Sequence, residues 1–238
     1  MKSKLLLLLF SLLFFCKVNG QNNLTSFGIQ YKPIIPSSYF NSSHYQEEIN
    51  FFNFNLKPKY SYSLGMLLRQ KINQTFSFES GINYIHRNYS LSIENIQIQN
   101  DETSFGLRSY EIPIQLLTYV QIKELWYLNV AFGLSYNILT SDILSYGNIS
   151  NDFIQNTYRK KGGYIALLAN LGMEFRPSKS GYYYFGTSLH RPWTELGRIY
   201  PQYKDNNTTF NDVDFKDKYY LKLLGSFVTL DFRYFFGE

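Results

Sequence analysis

Arg69, Glu79, Arg87, Glu111, Glu174, Asp231 and Arg233 each interrupt a stretch that is otherwise apolar at alternate positions. An isolated buried ion costs several kcal/mol, so charges turned into a closed interior must be paired or wet. They could form a structural ion-pair network, or line a narrow ion path. The three histidines, His44, His86 and His190, invite a hydrolytic reading. That chemistry needs a nucleophile, a base and an orienting acid within hydrogen-bond reach. Ser188 and His190 share a strand face, but residues two apart on a strand are about 7 Å apart, too far for a direct bond. His44 with Glu47 and Glu48 could suit a metal only if a third ligand came from elsewhere. No phosphate-binding loop, dinucleotide fingerprint or paired-cysteine metal site is present. The bland reading stands for each: no catalytic, cofactor-binding or metal-binding residue is assigned.

The elements that must position these charges are strands. Val228, Leu230, Phe232, Tyr234 and Phe236 alternate with Thr229, Asp231, Arg233 and Phe235. Alternate side chains on a strand point to opposite faces. The last strand therefore has one apolar face, ending in aromatics, and one face carrying charge. Trp126 to Ile138 repeats the pattern: seven apolar residues at a spacing of two. A helix would need a period near 3.6.

Similar stretches begin near Thr25, Lys59, Thr75, Phe105, Trp126, Gly163, Tyr182 and Tyr219, which predicts eight strands. Their connections alternate between long and short. The long ones cover about 36–57, 90–104, 140–161 and 195–218. This predicts an all-β fold: an antiparallel up-and-down transmembrane β-barrel with short periplasmic turns and long extracellular loops. Pro113 cannot donate to a ladder and should mark a bulge or an edge-like irregularity. Gly28, Gly65, Gly81, Gly133, Gly172, Gly186 and Gly225 fall on the non-greasy face, where they would relieve bending and leave interior room. The inverse arrangement is a soluble barrel. It would place Glu79, Glu174 and Asp231 outside and line a ligand cavity with Trp126, Phe132, Leu167, Leu230 and Phe232.

Composition sets the bounds. Met1 to Lys4 is basic, Leu5 to Cys16 is apolar, and Val18 and Gly20 are small, which describes a secretory signal over 1–20 and a barrel domain over 21–238. The one cysteine, Cys16, lies inside that signal, so no disulfide is expected. With 22 Tyr and 21 Phe, the chain has material for aromatic girdles. The net charge of +5 comes from scattered residues, with no basic stripe for nucleic acid.

The signal, the strands, Tyr110-Glu111-Ile112-Pro113 and the aromatic last strand together resemble the outer-membrane β-barrel proteins of the Bacteroidota, the PorT-like or OmpA-like barrel domains. The resemblance implies an outer-membrane location and contact with outer-membrane lipid. It also implies insertion by barrel-assembly machinery, with Leu230, Phe232, Tyr234 and Phe236 as the assembly signal. Gly237 and Glu238 depart from the pattern in following the last aromatic. The family implies no single activity.

The expected role is non-enzymatic: structural, or binding an extracellular glycan or protein through loop aromatics. Tyr39, Phe40, Tyr45, Tyr200, Tyr203 and Phe210 are the candidate contacts. The alternatives are a small channel, a PorT-like component of a secretion apparatus, and a lipid-modifying enzyme.

Overall fold

The computed structural model describes residues 25–36, 45–49, 52–94, 100–150, 152–177, 181–203 and 220–237, with the side chains of 45–49, 52 and 203 left aside. The expected signal over 1–20 lies outside these residues. Every regular element described is a strand, and every pairing is antiparallel.

In chain order the strands are β1 (Thr25–Ile35), β2 (Tyr45–Ile49), β3 (Phe52–Pro58), β4 (Ser61–Lys71), β5 (Phe76–Glu94), β6 (Asp101–Lys123) and β7 (Trp126–Leu139). They continue as β8 (Ile143–Tyr146), β9 (Phe153–Arg159), β10 (Gly163–Phe175), β11 (Tyr182–Pro192), β12 (Gly197–Tyr203), β13 (Leu221–Leu223) and β14 (Phe227–Phe235). The larger sheet runs β2-β3-β5-β4-β1-β14-β11-β10-β7-β6, and β6 also pairs with β5. Following the ladders from β5 through β4, β1, β14, β11, β10, β7 and β6 therefore leads back to β5. Strands β13, β12, β9 and β8 form a second sheet.

The tight connections share one rim with the start of β1 and the end of β14. Gly28 pairs with Phe235, and the Phe236 amide donates to the Phe27 carbonyl at 2.9 Å. At that rim the Asn73 side chain accepts from the amides of Thr75 (2.9 Å) and Phe76 (2.7 Å), closing the β4–β5 turn. The turn before β11 uses Gly181 at φ 75°, a region that residues bearing a Cβ avoid.

The strands are apolar on the exposed face and polar on the buried one. Phe132 is 62% exposed while Glu174 is fully buried. Ile29, Met66, Ile82, Ile114, Leu134, Leu171 and Phe185 are exposed, whereas Gln30, Arg69, Glu79, Asn83, Asn129, Asn170 and Arg233 are buried. This is the reverse of a water-soluble sheet. The apolar-interior alternative is thereby overturned: Glu79, Glu174 and Asp231 lie inside, and Trp126, Phe132, Leu230 and Phe232 lie outside.

That pattern holds along only part of β5 and β6. On β5 the exposed-side residues change from Phe76, Phe78, Ile82 and Tyr84 to His86, Asn88, Ser90, Ser92 and Glu94. The opposite face changes from Ser77, Glu79 and Asn83 to Tyr89, Leu91 and Ile93, all buried. β6 reverses at the same height, because His86 pairs with Arg108 and Tyr84 with Tyr110. Beyond the reversal, Leu56, Tyr89, Leu91, Ile93, Phe105 and Leu107 join Phe153, Ile199, Leu221 and Leu223 of the second sheet in one apolar core. Fully burying such a side chain contributes about 1.5–3 kcal/mol.

The described parts of the long connections are thus mostly strands rather than plain loops. The connection from 36 to 57 contains the β2–β3 hairpin, and 90–104 includes the ends of β5 and β6. Strands β8 and β9 lie in 140–161, and β12 lies in 195–218. The expected last strand from Tyr219 is divided: β13 joins the second sheet, and Gly225 at φ 80° separates it from β14. Gly225 therefore belongs to a link and not to a strand. Pro113 causes no bulge. The β5–β6 partners skip Gly81 and Ile82 opposite it and resume in the same register, and the one shift on β6 falls between Gln121 and Lys123.

Candidate functional site

Five of the seven charges flagged in the sequence meet in one buried chain of ion pairs. Register brings them together: Arg69 on β4 pairs with Glu79 on β5, and Glu174 on β10 lies across the interior. Arg69 Nε donates to Glu79 Oε2 at 2.9 Å, and Arg69 Nη1 to Glu174 Oε1 at 2.5 Å. Glu79 Oε1 accepts from Arg233 Nη1 at 2.8 Å, and Arg233 Nη2 donates to Asp231 Oδ2 at 2.7 Å. The chain extends at both ends to residues the sequence reading missed. Arg176 caps Glu174 with bonds of 3.0 and 2.7 Å, and Lys32 lies 3.3 Å from Asp231.

Neutral groups occupy the remaining acceptors. Asn129 Nδ2 donates to Glu174 at 2.7 Å. Ser188 and Thr229 donate hydroxyl protons to Asp231, each at 2.5 Å, and Asn170 Nδ2 donates at 3.1 Å. Aromatic faces shield the cations. Arg69 lies 3.9 Å from the Phe235 ring centroid, Arg233 4.5 Å from that of Tyr184, and Arg176 4.3 Å from that of Tyr127. Four cations and three carboxylates alternate in this chain, so nearly every charge has an opposite neighbour on each side.

Arg87 and Glu111, the other two flagged charges, lie apart from this chain. Arg87 donates to the Tyr164 hydroxyl and the Gly225 carbonyl, both at 3.1 Å. Glu111 accepts from Asn83 Nδ2 at 2.7 Å, and Asn83 in turn accepts from Gln30. His190 Nε2 lies 3.4 Å from Glu111 Oε1, and its ring stacks on Phe227 at 4.4 Å.

The arrangement holds no nucleophile–base pair. The Ser188 hydroxyl is committed to Asp231, and neither ring nitrogen of His190 has a hydrogen-bond partner. His86 stands on the exposed face, edge-on to Tyr62 at 5.5 Å. No metal-ligating group of three or more side chains occurs among the described residues. His44 lies outside them, as do the side chains of Glu47 and Glu48.

Of the loop contacts, Tyr200 is corrected. It is buried in β12, edge-on to Tyr158 at 5.7 Å and 6.0 Å from Tyr220, and offers no free ring. The side chains of Tyr39, Phe40, Tyr45, Tyr203 and Phe210 lie outside the described residues. Leu230, Phe232 and Phe236 face outward on β14, with Phe236 stacked on Phe27 at 5.7 Å.

A scan against protein-family models and a search of curated proteins each find no match.

Proposed function

We propose that this chain is an eight-stranded transmembrane β-barrel of the bacterial outer membrane, plugged by its ion-pair chain and carrying a β-structured head outside the bilayer. Its role is non-enzymatic, structural or binding, with the head as the contact region. The observation that carries this is the reversal of polarity along β5 and β6. Their exposed face is apolar up to Tyr84 and Tyr110 and polar from His86 and Arg108 onward, while the buried face gains Tyr89, Leu91, Ile93, Phe105 and Leu107 beside the polar Arg87, Thr103 and Asp101. One solvent cannot favour both halves of the same strand. A bilayer below and water above favours each.

The dimensions agree. From Tyr110 to Val120 the exposed face of β6 runs about 33 Å along the strand, or about 25 Å along the axis at a tilt near 40°. The return of the ladder to β5 leaves the eight-strand path without an edge, as hydrocarbon requires. Eight strands give an interior that side chains fill, and here paired charges fill it. The resemblance to PorT-like or OmpA-like barrels remains part of this proposal and rests on sequence pattern alone.

The test is electrophoresis in detergent of boiled and unboiled samples from carbonate-washed outer membranes. A mobility shift in washed membranes is expected. A soluble protein with no shift would refute the proposal.

A further inference from the structure

The exposed face of β5 and β6 carries a basic groove, and an apolar groove on the neighbouring strands borders it. The basic groove, about 570 Å³, lies at the polarity reversal and is lined by Lys59, Tyr60, His86, Asn88, Gly106 and Arg108. His86 and Arg108 are direct cross-strand partners. Placing a guanidinium beside an imidazole is unfavourable once the imidazole is protonated, and it suits a bound anion. Arg108 is exposed and has no carboxylate partner among the described residues. Lys59 is held in place by Ser104 at 2.8 Å and Glu102 at 3.4 Å. Gly106 keeps the floor open, because a Cβ there would come within 2.5 Å of His86 Nε2.

Beside it lies the second groove, about 650 Å³, which runs across β5, β4, β1, β14 and β11, is lined by Ile29, Leu64, Met66, Ile82, Phe185 and Phe232 among others, and meets the β5–β6 pair at Tyr84 and Tyr110. Tyr84 and Tyr110 lie two residues along the strand from His86 and Arg108, and their rings sit 5.8 Å apart at the junction. A cationic notch bordering an apolar trough matches a phosphorylated lipid, with a place for a headgroup and a place for acyl chains.

We propose that Lys59, His86 and Arg108 bind the phosphate of a lipid in the leaflet at this rim, with its acyl chains in the Leu64–Ile82 trough. The site rests on the outer-membrane assignment above. It differs from the general lipid contact of any barrel in having one place on the circumference and one headgroup chemistry. Guanidinium and imidazole N–H groups would donate charge-assisted hydrogen bonds to phosphate oxygens.

The test uses the full-length protein in detergent and native mass spectrometry. The probes are lipid A bearing its phosphates, dephosphorylated lipid A and inorganic phosphate. One molecule of phosphorylated lipid A should be retained per chain, with dephosphorylated lipid A bound about tenfold more weakly. Arg108→Gln with His86→Gln should lose about the same factor. Arg191→Gln, which changes an exposed arginine on β11, should lose nothing. Equal retention of the two lipids, unaltered binding by the double variant, or an equal loss in Arg191→Gln would overturn the proposal. Inorganic phosphate bound as tightly as the lipid would also overturn it, by assigning the groove to a soluble anion. Heat-modifiability of the same samples separates the two claims. A barrel that shifts but does not discriminate refutes this site alone, and a chain that never shifts refutes the outer-membrane assignment.

Discussion

Glu79→Gln should destabilise the protein far more than the loss of any surface carboxylate. Among the described residues Glu79 alone links the two halves of the charge chain, bonded to Arg69 at 2.9 Å on one side and Arg233 at 2.8 Å on the other. At an effective dielectric of about 20, each pair of charges about 4 Å apart attracts by about 4 kcal/mol. Two such pairs sum to about 8 kcal/mol. Neutralising the carboxylate removes its desolvation cost of several kcal/mol. It also leaves two buried arginines, each 3% exposed, with one anion fewer. The net loss should be about 3–5 kcal/mol, the usual cost of breaking a buried pair. Asp142→Asn is the comparator, since Asp142 and Arg159 pair at 2.9 Å with side chains 47% and 30% exposed. That change should cost about 1 kcal/mol or less. Urea unfolding of the variants in detergent micelles, followed by tryptophan fluorescence, reads the difference. A Glu79→Gln loss no larger than that of Asp142→Asn would refute the argument that the buried chain is a tightly paired plug.

Three further expectations follow from the same geometry. Gly133→Val should abolish heat-modifiable folding, because even a Cβ there would lie 2.7 Å from the Gln115 Cα; a normal mobility shift would contradict this. Purified protein in planar bilayers should give no stable conductance steps if, as proposed, the buried ion-pair chain plugs the interior; reproducible single-channel steps would show that the plug is open. Acid should loosen the head before the belt. Hydrogen bonds from the Arg159 backbone hold the Asp142 carboxyl below its usual range, and a hydrogen bond from Lys160 does the same for Glu195. A lowered folded-state pKa adds stability above the unfolded value, about 4, that is lost as pH falls below it. Hydrogen-exchange protection factors in β8, β9 and β12 should therefore fall as pH drops below about 4 while those in β7 and β10 hold. A uniform fall, or none, would count against that assignment of roles.

The strands and the inward charges were legible because alternation by two is a local signal. From Trp126 to Ile138 and from Val228 to Phe236 it continues without a break. The head was not legible for a related reason. On β5 the apolar residues occupy even positions through Tyr84 and odd positions from Tyr89 to Ile93. Where the parity changes, a single alternating template stops matching, so the extension looks like a loop. The signal was present as alternation in the opposite phase. Lys32 and Arg176 escaped notice because each sits near a strand end, where sequence alone does not settle whether a long side chain turns inward. Both do so here, toward Asp231 and Glu174. The loop aromatics misled in the case of Tyr200, whose partners Tyr158 and Tyr220 come from distant segments.

Two exposed positions separate a surface in lipid from a surface in water. Phe132 on β7 is 62% exposed in the isolated molecule and Tyr146 on β8 is 51% exposed. In a Cys16→Ser background, which removes the one cysteine of the sequence, a cysteine introduced at either position can be followed by itself. In intact cells, a membrane-impermeant maleimide should label Tyr146→Cys readily and leave Phe132→Cys unlabelled until detergent is added. Equal labelling of both positions without detergent would place water around the apolar belt and contradict the transmembrane account.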